Sequence, residues 1–150
     1  MLRLGEVVAN LLNEPAVAKV IAEATAKARA ALAADPTSLG AAQPIPREAF
    51  GERLPPELRA CRISIMRGGA AYHVERHPGA AQFVYSLENE GTIHVWDEGS
   101  WQASALTSAP GAPITSRWHA VPVGRWHQPV PAERDWVVLA IHSVPAEDLV

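Results

Sequence analysis

The segment YHVERHPGAAQFVYSLENEG, residues 72–91, gathers side chains that bind metal ions or move protons. Alternate residues of a strand share a face, so a strand over residues 72–77 points His73, Glu75 and His77 the same way. Three metal-capable groups then stand in one row, although a polar row on a surface strand has the same spacing. Pro78-Gly79 predicts a turn and a second strand from Gln82, with Gln82, Val84 and Ser86 on one face and Phe83, Tyr85 and Leu87 on the other. Gln82 can therefore face the row from the adjacent strand. Some 50 residues beyond His77, the stretch WHAVPVGRWHQPV sets His127 just past a Pro122-Val123-Gly124 turn that can aim it back inside.

Other histidines are candidates for proton transfer. His73 is one if it is not a ligand. His94 alternates with Thr92 and Trp96, which places it either in an interior or on a half-exposed strand. His142, in VVLAIHSV, shares a face with Trp136, Val138 and Ala140, and is either a proton relay in a pocket or a buried imidazole bonded to backbone. His119 reads as structural. Trp96, Trp118, Trp126 and Trp136 can wall an apolar pocket for a planar ring, and core packing explains them equally well. The chain has no G-x-G-x-x-G, no G-x-x-x-x-G-K-[ST] and no G-x-S-x-G, so nucleotide cofactors and a serine-hydrolase elbow have no support.

The elements that must position these residues fall into two regimes dividing near residue 35. Leu4, Val7, Val8, Leu11 and Leu12 recur at helical spacing, and an Ala-rich helix over Pro15–Ala34 follows, ended by Asp35-Pro36. Residues 36–60, with five prolines, read as an extended connection wrapped over a domain. From Cys61 the pattern becomes short β-branched and aromatic runs: Arg62–Met66, Tyr72–His77, Gln82–Leu87, Thr92–Trp96, Ser116–Val121 and Trp136–Val144. Strands so closely spaced imply a small antiparallel sandwich or barrel. The expected organisation is a helical extension (1–35), a Pro-rich connection (36–60) and a β-barrel (61–150) within one structural domain.

A chain of 150 residues closes one core, and 13 basic against 16 acidic side chains give a charge of −3, too balanced for a nucleic-acid partner. The lone Cys61 excludes an intramolecular disulfide, a Cys-rich zinc module and a thioredoxin-type pair, and suits a cytoplasmic location. No apolar run is long enough for a membrane span, and Glu6, Asn10 and Asn13 interrupt the start where a signal peptide would be apolar.

The two motifs together resemble the cupin superfamily. Its first motif has the form H-x-H, a short spacer, E, a strand, then G; its second has the form P-x-G, two residues, H. Glu75-Arg76-His77, Gln82 and Gly91 match the first, with Glu75 in place of the first His and Gln82 in place of the Glu; Pro122-Val123-Gly124-Arg125-Trp126-His127 matches the second. The resemblance covers residues 61–144. It implies a mainly β, jelly-roll barrel holding one divalent metal on Glu75, His77, Gln82 and His127, and a homodimer paired through sheet edges.

Two imidazoles and one carboxylate are the set that leaves open positions on Fe(II) in non-haem oxygenases, and the amide of Gln82 adds a weak, neutral fourth donor. With a divalent ion the site keeps a charge of about +1, attractive to an anionic or enolisable substrate. The expected function is a metal-dependent enzyme on a small, aromatic or enol-type molecule, foremost an Fe(II) dioxygenase. A lyase, isomerase or decarboxylase using Mn(II), Ni(II) or Zn(II), a metal-free epimerase and a non-catalytic ligand sensor are the alternatives.

Overall fold

The computed structural model describes residues 2–150. Helix α1 (Leu2–Leu12) and helix α2 (Pro15–Ala34) form where the apolar spacing predicts, with Pro15 in the first turn of α2, where its missing N–H costs nothing. At its other end Asp35 turns the chain away, its carboxylate accepting from the Thr37 N–H at 3.1 Å and the Thr37 hydroxyl at 2.7 Å. Val17, Ile21, Ala24, Ala28 and Leu32 form the buried stripe of α2.

The strands are β1 (Gly40–Ile45), β2 (Ala60–Met66), β3 (Gln82–Glu88), β4 (Glu90–Asp97), β5 (Ser100–Thr107), β6 (Trp118–Val121), β7 (His127–Pro131) and β8 (Trp136–His142). They make a five-stranded sheet in the order β1-β2-β8-β3-β6 and a three-stranded sheet in the order β5-β4-β7. All pairings are antiparallel. One face of the larger sheet, carrying Cys61, Ile63, Ile65, Phe83, Tyr85, Val137, Leu139 and Ile141, packs under the two helices. Its other face, with Met66, Val84, Val121, Trp136 and Val138, meets Ile93, Val95 and Leu106 of the smaller sheet. That explains β8, whose seven residues are all buried: a strand covered on both faces loses the polar alternation of a half-exposed one.

Four segments differ from expectation, one of them β7, which pairs with β4 where only a lead-in to the last strand was expected. Residues 36–60 are part of the sheet: β1 extends its edge beside β2, and a 3-10 stretch over Arg47–Arg53 precedes the buried Leu54 and Leu58. Pro44 is tolerated because β1 is an edge strand. Strand β5 was not anticipated, since most of its residues are exposed and only Leu106 is buried. Residues 72–77 are extended but are not a strand; they pair only through one bridge, Glu75 to His127. The Gly91 of the first motif has a packing role, because a Cβ there would lie 2.3 Å from the Trp136 ring.

Candidate metal centre

Segment 72–77 runs along the outer edge of β7. The Tyr72 N–H donates to the Pro129 carbonyl at 3.1 Å, and Glu75 and His127 exchange both backbone hydrogen bonds at 2.9 Å. Two sequence motifs 50 residues apart thereby lie side by side. The Pro-Val-Gly turn closes the arrangement: Gly124 takes φ 74°, a left-handed value that glycine adopts without steric cost, and its N–H donates to the His77 carbonyl at 3.0 Å.

The side chains converge accordingly. Glu75 Oε1 lies 3.4 Å from His127 Nε2 and 3.9 Å from His77 Nε2, and one ligand atom from each of these residues lies within 4.8 Å of the others. Gln82 Oε1 lies 2.8 Å from His127 Nε2. Both imidazoles turn Nδ1 to a main-chain oxygen, His77 to that of Val150 at 3.2 Å and His127 to that of Arg125 at 3.1 Å. An Nδ1–H donated there leaves each Nε2 as a lone pair facing the centre. His77 Nε2 is buried with no hydrogen-bond partner among the described residues. With Nδ1 protonated, His127 Nε2 and Gln82 Oε1 are two lone pairs in contact, reconciled by a cation or a proton between them or by a turn of the Gln82 amide that presents its N–H. Donors 2.8–3.9 Å apart suit a shared ion at about 2.0–2.2 Å from each, so these residues fit a divalent metal.

Electrostatics agree with that reading. Burial pushes the Glu75 carboxyl up, but the His127 hydrogen bond and the charges of His127, His77 and Arg62 outweigh it, and the net shift is downward, toward the ionised form. His142, 1% exposed, sits edge-on to His77 with ring centroids 4.8 Å apart, and its Nε2 has no partner. Burial first, then the charges of Arg62 and His77, lower its pKa to about 3, so it is neutral.

The remaining candidates separate. His142 shares the interior with the cluster. His73 is exposed, its ring 4.7 Å from that of Tyr72, and is not brought to the centre. His94 lies on the outer face of the smaller sheet, opposite the inward Ile93 and Val95, with Nε2 3.2 Å from the Thr92 hydroxyl. The tryptophans are dispersed: Trp118 stacks on Phe83 beneath the helices, Trp136 donates to the Ser86 hydroxyl, Trp96 packs on Trp101 at the exposed face, and Trp126 lies under Arg76. Two further interior residues stand outside the expected site. His119, paired with Val84 and lining a cavity of about 240 Å³ between β5 and β6, faces inward. Arg62 is the other; its signal was a charged residue alternating with Cys61, Ile63 and Ile65, all of which face the helices.

No protein-family model and no curated protein matches the chain. Solved structures do. The capsular polysaccharide assembling protein CapF from Staphylococcus aureus aligns at TM-score 0.57 and 12% identity over 71% of this chain and 26% of its own. Bacillus subtilis oxalate decarboxylase, a protein with Mn(II) centres, aligns at TM-score 0.55 and 15% identity over 71% of this chain and 26% of its own. A predicted oxalate decarboxylase from Thermotoga maritima aligns at TM-score 0.50 and 14% identity, covering 70% of this chain and 80% of that one. The chain thus spans about a quarter of the first two proteins and most of the third. Two antiparallel sheets packed face to face, aligned with these solved structures, give this chain the cupin fold.

Proposed function

We propose that the protein is a divalent-metal-dependent enzyme acting on a small organic molecule admitted to the barrel interior. The observation that carries this is the buried, unpartnered Nε2 of His77 facing the Glu75 carboxylate and the Nε2 of His127. Glu75, His77 and His127 would hold the ion, with Gln82 as a neutral fourth donor. Bound there, the metal would supply Lewis acidity and, if redox-active, a site for O₂ chemistry.

The chain's own residues supply the rest. Glu75 contributes the one negative charge of the set, so a divalent cation leaves about 2 − 1 = +1, which favours an anionic or enolisable substrate. His142, held neutral beside His77, presents an unpartnered Nε2 that would hydrogen-bond a bound substrate.

Two reaction classes follow. The two-histidine, one-carboxylate set favours an Fe(II) dioxygenase; the likeness to oxalate decarboxylases favours a lyase or decarboxylase using Mn(II) or a similar ion. Elemental analysis of protein purified without chelator, beside Glu75→Ala, His77→Ala and His127→Ala variants, tests the common ground. Each variant is expected to stay folded and to lose most of the ion; retention by all three defeats the proposal. Fe(II)-dependent O₂ uptake across a substrate panel selects the dioxygenase, and anaerobic turnover with Mn(II) selects the lyase.

A further inference from the structure

Arg62 lies on the inward face of β2, and the register places it where the larger sheet carries the proposed site. Ala60 pairs with His142, Arg62 with Ala140, and His142 with Gln82, so Arg62, His142 and Gln82 project from three neighbouring strands into one region of the interior. Residues 72–77 close the barrel beside β7 and bring Glu75 to the same region, close enough for the Arg62 charge to act on both Glu75 and His142. Yet Arg62 makes no ion pair and no side-chain hydrogen bond among the described residues, and its Nε is buried without a partner. Six other arginines, Arg29, Arg47, Arg53, Arg67, Arg117 and Arg125, spend donors on carboxylates or carbonyls.

A guanidinium directed into an interior with its donors unspent is costly unless something else fills them. Its planar fork matches a carboxylate, which accepts two parallel hydrogen bonds from it. We propose that Arg62 seats the carboxylate of the substrate, so that the molecule is a small organic acid whose adjoining carbon, bearing an oxygen donor, faces Glu75, His77 and His127. This rests on the metal-dependent reading and sharpens it: with a divalent ion the pocket carries 2 − 1 + 1 = +2, which a mono- or dicarboxylate offsets and a neutral sugar or arene does not. His142, its Nε2 unpartnered beside His77, lines the same region.

The test uses the full chain loaded with Mn(II), with pyruvate as probe and pyruvamide as its neutral counterpart. Calorimetric titration of the wild type is expected to show pyruvate binding at least tenfold tighter than pyruvamide. Arg62→Gln is expected to lose that preference and to weaken pyruvate at least tenfold, and Arg62→Lys, which keeps the charge without the fork, to fall between. Metal content by elemental analysis is expected to be unchanged in both. Because Arg62 is unpaired, Arg62→Met is expected to raise the Tm of the ligand-free protein, while pyruvate raises the Tm of the wild type only. Equal pyruvate affinity in wild type and Arg62→Gln, no preference over the amide, or no binding of either probe overturns the proposal. Absence of metal from wild-type protein, with Arg62-dependent pyruvate binding intact, defeats the metal reading alone and leaves the carboxylate seat standing.

Discussion

His142 is an imidazole that folding forbids to charge. Its pKa falls to about 3 in the folded chain, against 6.5 when exposed. Between those values the unfolded chain binds a proton that the folded chain does not, so stability is complete above pH 6.5 and is lost as pH falls toward 3. The slope approaches about 1.4 kcal/mol per pH unit for this one group. Urea midpoints of metal-free protein at pH 7 and pH 5 are expected to differ by less in His142→Gln than in wild type; an unchanged difference removes His142 as the source. At this scale the sequence was informative where a motif supplied the pairing. Glu75, His77, Gln82 and His127, the set that the resemblance to the cupin motifs implied, lie within one cluster. Arg62 was passed over and His119 was read as structural because a single polar residue in an apolar strand has no partner in sequence; only the register shows that both face the interior. His94 was ambiguous for a related reason: period-2 alternation says that Thr92, His94 and Trp96 share a face, but not which face.

At the level of elements, close contacts with ring systems reverse ordinary propensity. In α1, Gly5 is buried, and a Cβ there would lie 2.6 Å from the Trp118 ring. Alanine in a helix ordinarily gains about 1 kcal/mol over glycine, whereas overpacking a tight core costs about 1–3 kcal/mol. Gly5→Ala is therefore expected to lower stability, read from the urea midpoint; a rise would mean that α1 can lift from β6 at no cost. The helices were legible because long periodic stretches with a proline at each boundary admit one reading, and α2 spans Pro15–Ala34 as predicted. Strand β5 was not, because its partner β4 supplies the backbone hydrogen bonds while its side chains stay largely in solvent. Residues 72–77 alternate like a strand, but a single bridge to β7 and side-chain demands at Glu75 and His77 take the place of a ladder.

For the whole molecule, the helices are not an appendage. Val8, Leu11, Val17, Ile21 and Leu32 bury the outer face of the larger sheet, where Ile63, Ile65, Leu139 and Ile141 are fully enclosed. A chain starting at residue 36 would expose that face, a contiguous apolar surface far above what a soluble monomer tolerates. Loss of soluble yield and strong light scattering are expected; a monodisperse, metal-binding product would show that the barrel stands alone. The exchange of hydrogen bonds between Glu75 and His127, locked by the Gly124 N–H on the His77 carbonyl, also sets an order in time. A ribosome that has delivered only the first motif has delivered loose donors. On the proposed reading an ion would be captured only once the second motif has been made and seated against the first, so a chain released between the two motifs would leave the cell's metal pool untouched.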